Sequence, residues 1–447
     1  MITQTILKPF LLNTGLNINS TKELQDSLQE VSVVMRELKQ KIPSNKKFIK
    51  TLLHIFCGVT DFRQPAKIKY RLENILCMFL LIALRGRFTS FLAASEYINY
   101  KALYFKKFGL LDPKEIPSHD TLRRIFMNID ANELRDCLIN RIETLIKKIV
   151  NKGSDNRTKK FRILSGDGKT FNGSGRKGNT AKNSSDKRNC NVFNLFDASS
   201  ALCLTSIPLN DKDSEISTFQ KILNQFKLKD TIITADALHC QRKTTEIITR
   251  RGGLYCIKVK DNQASFKQHI IDVLKLNQSK CMNISFNNCD YEIFIIDYKT
   301  NELDFPGAKA YIRMNSHKRK DQADYNPEDQ YFVSSADNPQ LIMEAIDNRW
   351  AIEAGLHWWK DDFLKEDECT FTDENAIKVM ATLNNIAYGI YRLASAIFHD
   401  QKMSATRIVF QDEPEKLLEK LVPLMEKQNL SMLLKQNMRG GKNKTSK

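Results

Sequence analysis

Between residues 162 and 276 the chain alternates short apolar or β-branched runs with stretches of helical period, and few folds accept that order. Arg162–Ser165 reads as a short strand, followed by a loop rich in Gly, Asn and Lys from Gly166 to Asn189. Val192–Phe196 and Ala201–Ile207 read as a hairpin. Ser214–Phe226 is then a helix, Thr231–Thr234 a buried strand, Gln241–Arg251 a helix, Leu254–Val259 a strand and Ser265–Leu276 a helix. A hairpin followed by βαβα units predicts an α/β fold, a mixed sheet with helices on both faces.

The flanks differ in texture. Residues 1–48 form a polar N-terminal extension with helical stretches around Glu23–Lys41, and residues 49–150 read as all-α. Within the latter, Leu122, Ile125, Phe126 and Ile129 share one apolar face behind a cap at Ser118 or Asp120. Arg123 and Arg124 point elsewhere, either to solvent or to phosphate. A basic, breaker-rich linker at 151–162 leads into the alternating strand and helix segment at 159–280. Residues 281–335 hold strand-like pieces with little helical period, a β-rich insertion. Helices resume near Pro339, so 336–400 forms a second, helical segment that holds RWAIEAGLHWWKDD. Residues 401–447 are taken as a basic C-terminal tail, with 435–447 expected to be disordered.

Charge narrows the partners. The chain has 447 residues, with 69 Lys and Arg against 52 Asp and Glu, a formal net charge of +17. That excess attracts a polyanion, and nucleic acid is the commonest one in a cell. The longest apolar run, Ile75 to Leu84, is too short to span a bilayer, and no secretory signal is read at the N-terminus. None of the ten cysteines forms a CxxC pair, and His239-Cys240 has no partner pair at zinc spacing. A cytoplasmic, nucleoid-associated protein with no membrane partner is expected.

Three acids stand out by position. Asp167, in LSGDGKT, lies just past the first strand; Asp236, in TIITADALHC, ends a core strand; Glu353 lies in the helix RWAIEAGLHWWKDD. Phosphodiester cleavage needs an activated water or hydroxyl and a neutralised leaving oxygen, which two Mg²⁺ ions about 4 Å apart supply. Mg²⁺ takes hard oxygen ligands and keeps some of its waters, so a few carboxylates suffice. Arg349, Glu353 and Lys360 fall at i, i+4 and i+11, which on a regular α-helix lines them along one face together with His357. Such a stripe suits a metal-holding acid flanked by phosphate-binding cations, or equally an exposed face of ion pairs.

These motifs resemble the DDE insertion-sequence transposases of the H-repeat-associated group. IPSHDTLRRIF is similar to the group's N-terminal associated region, SGDGKT to its first aspartate block, and ITADALHCQ with YCIKVKDNQ to the second. YFVSSADN and RWAIEAGLHWWKDDFLKEDEC resemble the glutamate block, with Arg349, Glu353 and Lys360 matching a Tyr-Arg-Glu-Lys signature whose tyrosine position holds Ile346. The resemblance implies a ribonuclease-H-like catalytic domain with Asp167, Asp236 and Glu353 as metal ligands for two Mg²⁺ ions, with Mn²⁺ as an alternative. It implies cleavage at transposon ends followed by attack of the freed 3′-hydroxyl on target DNA. The partner is then double-stranded DNA, bound through the 49–150 region, in a synaptic homodimer.

Other residues are assigned to DNA with less specific signals. Lys258, Lys260, Asn262 and Gln263 follow a core strand and either touch DNA near the cleaved end or form a solvated loop. The 168–189 loop, with Lys169, Arg176, Lys177, Lys182, Lys187 and Arg188, is expected to be a phosphate-binding flap. His357 is a packing, hydrogen-bonding or DNA-facing histidine. Trp350, Trp358 and Trp359 flank Glu353; one is a candidate for base stacking, and core packing is expected for at least two. Two other readings remain: a transposase descendant that binds DNA without cutting it, and a metal-dependent nuclease that cuts without joining.

Overall fold

The computed structural model describes residues 47–111, 116–150, 161–177, 187–209, 214–296, 305–316, 328–397 and 403–425. The expectations for 1–46, for the linker at 151–160, for Lys182 and for the tail at 435–447 lie outside the described residues.

Among the described residues nine strands form one sheet, in the order β3-β2-β1-β4-β5-β9-β8-β7-β6. β1 (Arg162–Lys177), β2 (Lys187–Asp197) and β3 (Leu202–Leu209) are antiparallel neighbours. β4 (Thr231–Ala235) runs parallel to β1, and β5 (Leu254–Val259) parallel to β4. This 3-2-1-4-5 order is the ribonuclease-H-like arrangement that the resemblance implies. Each parallel step is made by a crossover helix, α7 (Glu215–Leu223) before β4 and α8 (Arg242–Arg250) before β5. β4 is buried at all five positions, and its β-branched run TIIT suits a strand covered on both faces.

Two elements depart from the expected pattern. β1 continues to Lys177 instead of stopping at Ser165, and β2 begins at Lys187, so the outer parts of the anticipated loop are paired strand. Glycine and asparagine in that stretch lowered its apparent strand propensity, but pairing with β2 supplies the hydrogen bonds. The region of the insertion adds to the same sheet. After α9 (Ala264–Leu276) come β6 (Met282–Phe286), β7 (Cys289–Ile295), β8 (Ala310–Ser316) and β9 (Gln330–Ser334), and β9 pairs antiparallel with β5. Ile293, Ile312 and Phe332 from these strands share a core with Ile163 and Ile232.

The helices pack around this sheet. α1 (Lys47–Phe56), α2 (Leu72–Arg85), α3 (Phe91–Tyr100), α4 (Ala102–Lys107), α5 (His119–Phe126) and α6 (Ala131–Val150) precede it. α2 is buried at every position from Ile75 to Leu84 and ends at Gly86, whose φ of 83° favours glycine. Ser118 caps α5, its hydroxyl accepting from the Thr121 amide at 3.3 Å. Arg123 and Arg124 are exposed on that helix, opposite its apolar face. α10 (Pro339–Ala351) follows β9, and the central helix α11 (Glu374–Ile397) ties the halves together. Tyr391 donates its hydroxyl to the Leu84 carbonyl at 2.8 Å, and Asn375 donates to the carbonyls of Phe126 and Ile129. The N-terminal helices thus share a core with the sheet's helices, through α11.

The expected tail beginning at 401 is corrected. It opens with two helices, α12 (Met403–Phe410) and α13 (Pro414–Met425), which bury Phe410, Leu417, Leu418, Leu421 and Val422. Their apolar period outweighs the surrounding charge. Among the described residues no helix is long and apolar enough to cross a membrane.

Candidate active site

Asp167 lies inside β1, opposite Asn194 of β2, not beyond the strand's end. Gly166 pairs with Ala235 of β4, so Asp167 and Asp236 are the next residues along two strands roughly 4.8 Å apart. The glycines on either side of Asp167 have separate reasons. A Cβ at Gly166 would sit 2.7 Å from the Phe219 ring and 2.8 Å from the Phe193 ring, beneath α7. A Cβ at Gly168 would lie 2.5 Å from Glu215 Oε2, so a bare backbone lets that carboxylate in under the strand. Gly166→Ala should therefore destabilise the fold by about 1–3 kcal/mol, through overpacking against two rings. A denaturant midpoint unchanged from the parent would refute it.

Glu353 arrives from the opposite face. α10 lies against β1, where the Ser165 hydroxyl reaches the Asn348 carbonyl at 3.4 Å. After Ala351 the helix widens into π-helical turns at Ile352–His357 and Lys360–Leu364. π-turns occur disproportionately at functional sites, and here they change which residues share a face. The expected Arg349–Glu353–Lys360 stripe is therefore corrected. Arg349 Nη1 stays 3.4 Å from Glu353 Oε1, but Lys360 is 1% exposed and turns inward, 3.5 Å from Glu366 Oε1.

The carboxylates act on one another. Burial, then the Glu353 charge, then that of Glu215 push the Asp167 carboxyl up to about 7, with Asp236 adding to the rise. Burial also pushes Asp236 up, but the Ala237 amide and Lys260, with Nζ 3.1 Å away, outweigh it and hold the group below its ordinary value. Lys258 is brought down to about 8 by burial and by the Arg349 and Lys260 charges. His357, with Nδ1 3.5 Å from Asp167 Oδ2, is pushed down to about 3 by burial and the charges of Lys360 and Lys169. The imidazole is neutral at ordinary pH.

Several residues assigned to DNA turn out to be engaged within the protein. Lys169 is 8% exposed and pairs with Asp361, with Asp367 at 3.2 Å and with Glu366 at 3.7 Å, so it is part of the interior and not a flap. Asn262 donates to the Ala237 carbonyl at 2.9 Å and Gln263 to the Cys240 carbonyl at 3.1 Å, which pins the turn after Asp236. Of the tryptophans only Trp359 is buried; Trp350 and Trp358 are 45% and 56% exposed, correcting the expectation that at least two pack in the core. Arg349 lies over the Trp350 ring at 4.3 Å.

Glu215 escaped the sequence reading, and His239 was weighed there only as a zinc ligand. His239 Nε2 stands 2.9 Å from Glu215 Oε1, and the imidazole is 1% exposed. An acid in the first turn of a helix is ordinary, so nothing in the residues around Glu215 distinguished it. Asn194, Glu366, Asp361 and Asp367 were missed for the same reason: their partners are remote in the chain.

A hard divalent cation suits this donor set in chemistry, because all the donors are carboxylate oxygens. Asp236 Oδ1 is buried without a hydrogen-bond partner, and Asp167 is raised by burial and then by the neighbouring carboxylates. Among the described residues, however, no three carboxylate, histidine or cysteine groups stand close enough to form a ligand shell. Arg349 and Lys260 supply the positive charge against Glu353 and Asp236.

Asp167 also sets a pH dependence. The folded protein holds its proton up to about pH 7, whereas the unfolded chain loses it near the ordinary value of 3.8. The folded state binds more protons between those limits, so stability falls as pH rises through that window and then levels off. Without divalent ions, Asp167→Asn should flatten the slope and raise Tm above the parent at pH 8. A variant that keeps the parent's slope would refute this.

The strand order, with Asp167 on β1 and Asp236 at the end of its neighbour β4, defines a ribonuclease-H-like scaffold. Residues 158–390 match the family described as Transposase DDE domain, and residues 53–141 match the one described as DDE_Tnp_1-associated. The chain belongs to this family of DDE transposases, in its H-repeat group. It is 24% identical to YhhI of Escherichia coli (strain K12), an H repeat-associated protein described as a candidate transposase, across 76% of this chain and 90% of that protein. YbfL of the same strain is also 24% identical, over 76% and 90%. The piggyBac transposase synaptic complex with hairpin DNA covers 90% of this chain and 82% of its own, at 10% identity and a TM-score of 0.41.

Proposed function

We propose that this chain is a DNA transposase that cuts at the inverted ends of an insertion sequence and joins the freed 3′-ends to target DNA. The observation that carries the reading is Asp167, held beside Asp236 by strand register and pushed up by burial and then by the Glu353 charge from the facing helix. Asp167, Asp236 and Glu353 would hold divalent cations, Mg²⁺ or Mn²⁺. Such ions activate the attacking oxygen and neutralise the leaving one.

The chain's own residues supply the positioning. Rigid strands fix the two aspartates, while Arg349, 5% exposed and lying over the Trp350 ring, holds the Glu353 carboxylate from within the protein. Lys258, lowered by burial and then by its cationic neighbours, gains from any anion that enters. Lys260 lies against Asp236, and a phosphate or a cation would compete for each member of that pair. Exposed Trp350 and Trp358 offer faces on which an unpaired base can stack. Arg123 and Arg124 present charge on α5 within the region assigned to end recognition. A homodimer is proposed because two ends are joined in concert.

The test uses purified full-length protein, a labelled duplex carrying a repeat end, and Mg²⁺ or Mn²⁺. Nicking at the repeat boundary and joining to a target plasmid are expected, with neither in EDTA. Cutting without joining would replace this reading with a nuclease, and binding without cutting with a regulator. End binding should weaken by about 10³-fold or more between 50 and 200 mM salt if six or more phosphates are contacted. A flat response would overturn a phosphate-dominated interface.

A further inference from the structure

We infer that His357 is a positioning residue for Asp167, with its Nδ1–H turned to the Asp167 carboxylate and its tautomer set by Lys360 and Ser206 through Asn194. This rests on the proposed role of Asp167 but is read from a different set of contacts. Asn194 is the pivot. It is fully buried and paired in register with Asp167, so the two side chains rise from the same face of the sheet.

The polarity of the chain can be followed atom by atom. The Lys360 ammonium can only donate, and its Nζ stands 3.4 Å from Asn194 Oδ1. Ser206 Oγ lies 2.6 Å from the same oxygen and accepts from Asn385 Nδ2 at 2.9 Å, so its own hydrogen goes to Asn194. With that oxygen committed as an acceptor, the amide NH₂ of Asn194 is the group 3.2 Å from His357 Nε2. An amide NH₂ only donates, so Nε2 carries a lone pair and the ring hydrogen sits on Nδ1, 3.5 Å from Asp167 Oδ2. Reversing the Asn194 amide would set its NH₂ against an ammonium and leave its oxygen without these donors, a costly arrangement in a buried site.

Glu366 anchors the far end. Its Oε1 accepts from Asn384 Nδ2 at 2.9 Å and lies 3.5 Å from Lys360 Nζ. The π-turn at Lys360 is what brings this lysine inward to Asn194. The 3.5 Å approach to Asp167 is long for a hydrogen bond, as catalytic contacts often are before substrate and ions are in place.

The experiment is tautomer-sensitive ¹⁵N NMR at pH 8, where Asp167 has lost its proton, of the full-length, metal-free protein labelled at its histidines, with the His357 signal assigned by its loss in His357→Asn. A bare Nε2 and a protonated Nδ1 are expected. Asn194→Asp, which can only accept at that position, should move the ring proton to Nε2; an Nε2–H ring in the parent, or no change in Asn194→Asp, would overturn the inference. In the nicking assay, His357→Asn keeps an amide N–H near the Nδ1 position and should retain most of the rate. His357→Gln mimics Nε2 and should lower kcat by about 10–100-fold with repeat-end affinity unchanged. Equal losses in both variants, or affinity falling in step with kcat, would also overturn it. The tautomer is read without DNA or metal, so nicking by Asp167→Asn would sink the proposed function and leave the NMR result to be judged separately.

Discussion

Asp167→Asn, Asp236→Asn and Glu353→Gln should each lower nicking at a repeat end by about 10³-fold or more, the equivalent of the several kcal/mol of transition-state charge stabilisation that bound cations contribute. Each substitution keeps the side chain's size and removes one negative charge, so DNA binding should persist or tighten. The variants are not equivalent in stability. Asp167 is the member pushed up by burial and by Glu353, so its neutralisation relieves strain in the metal-free protein. Asp236 is held down by Ala237 and Lys260, and its neutralisation removes a favourable pairing. Thermal scans at pH 8 should therefore place Asp167→Asn above the parent and Asp236→Asn below it. Residual cutting within tenfold of the parent in any of the three would end the assignment for that residue.

Glu366→Ala should destabilise the fold by about 3–5 kcal/mol, the usual consequence of leaving buried charge unpaired. Glu366 is 1% exposed and stands between two buried ammonium groups, Lys169 at 3.7 Å and Lys360 at 3.5 Å. Asn384 would lose its acceptor as well. Glu368→Ala is the control: it removes an exposed partner of Lys365 at 3.9 Å and should change stability by less than about 0.5 kcal/mol. Urea unfolding of both variants decides this, and a loss under about 1 kcal/mol for Glu366→Ala would show that water or another donor replaces the pair.

The contrast between Glu366 and Glu353 shows what a one-dimensional reading reaches. Glu353 stood out because Arg349 lies one turn before it in a recognisable block. Glu366 stands in the same block, within KEDEC, yet its partners Lys169 and Asn384 come from β1 and α11. No local spacing signals that meeting. Lys169 illustrates the opposite error, a basic residue in a glycine-rich stretch that suggested a flap. Continuation of β1 puts it two residues beyond Asp167 on the same face, where it turns to the acids at 361–367.

The order of strands and helices from 202 to 276 followed from apolar periodicity, because burial of a sheet's faces dictates which residues alternate. The positions of Asp167, Asp236 and Glu353 were likewise marked by motifs, through the glycines around Asp167, the strand end before Asp236 and the Arg349 one turn before Glu353. Tertiary structure alone decided that the strands between 282 and 334 extend the sheet beside β5 and that Lys360 turns inward through a π-turn. Those outcomes depend on edge pairing and on charges meeting across gaps of tens to nearly two hundred residues. Such contacts are set by the packed whole and leave no periodic trace in the chain.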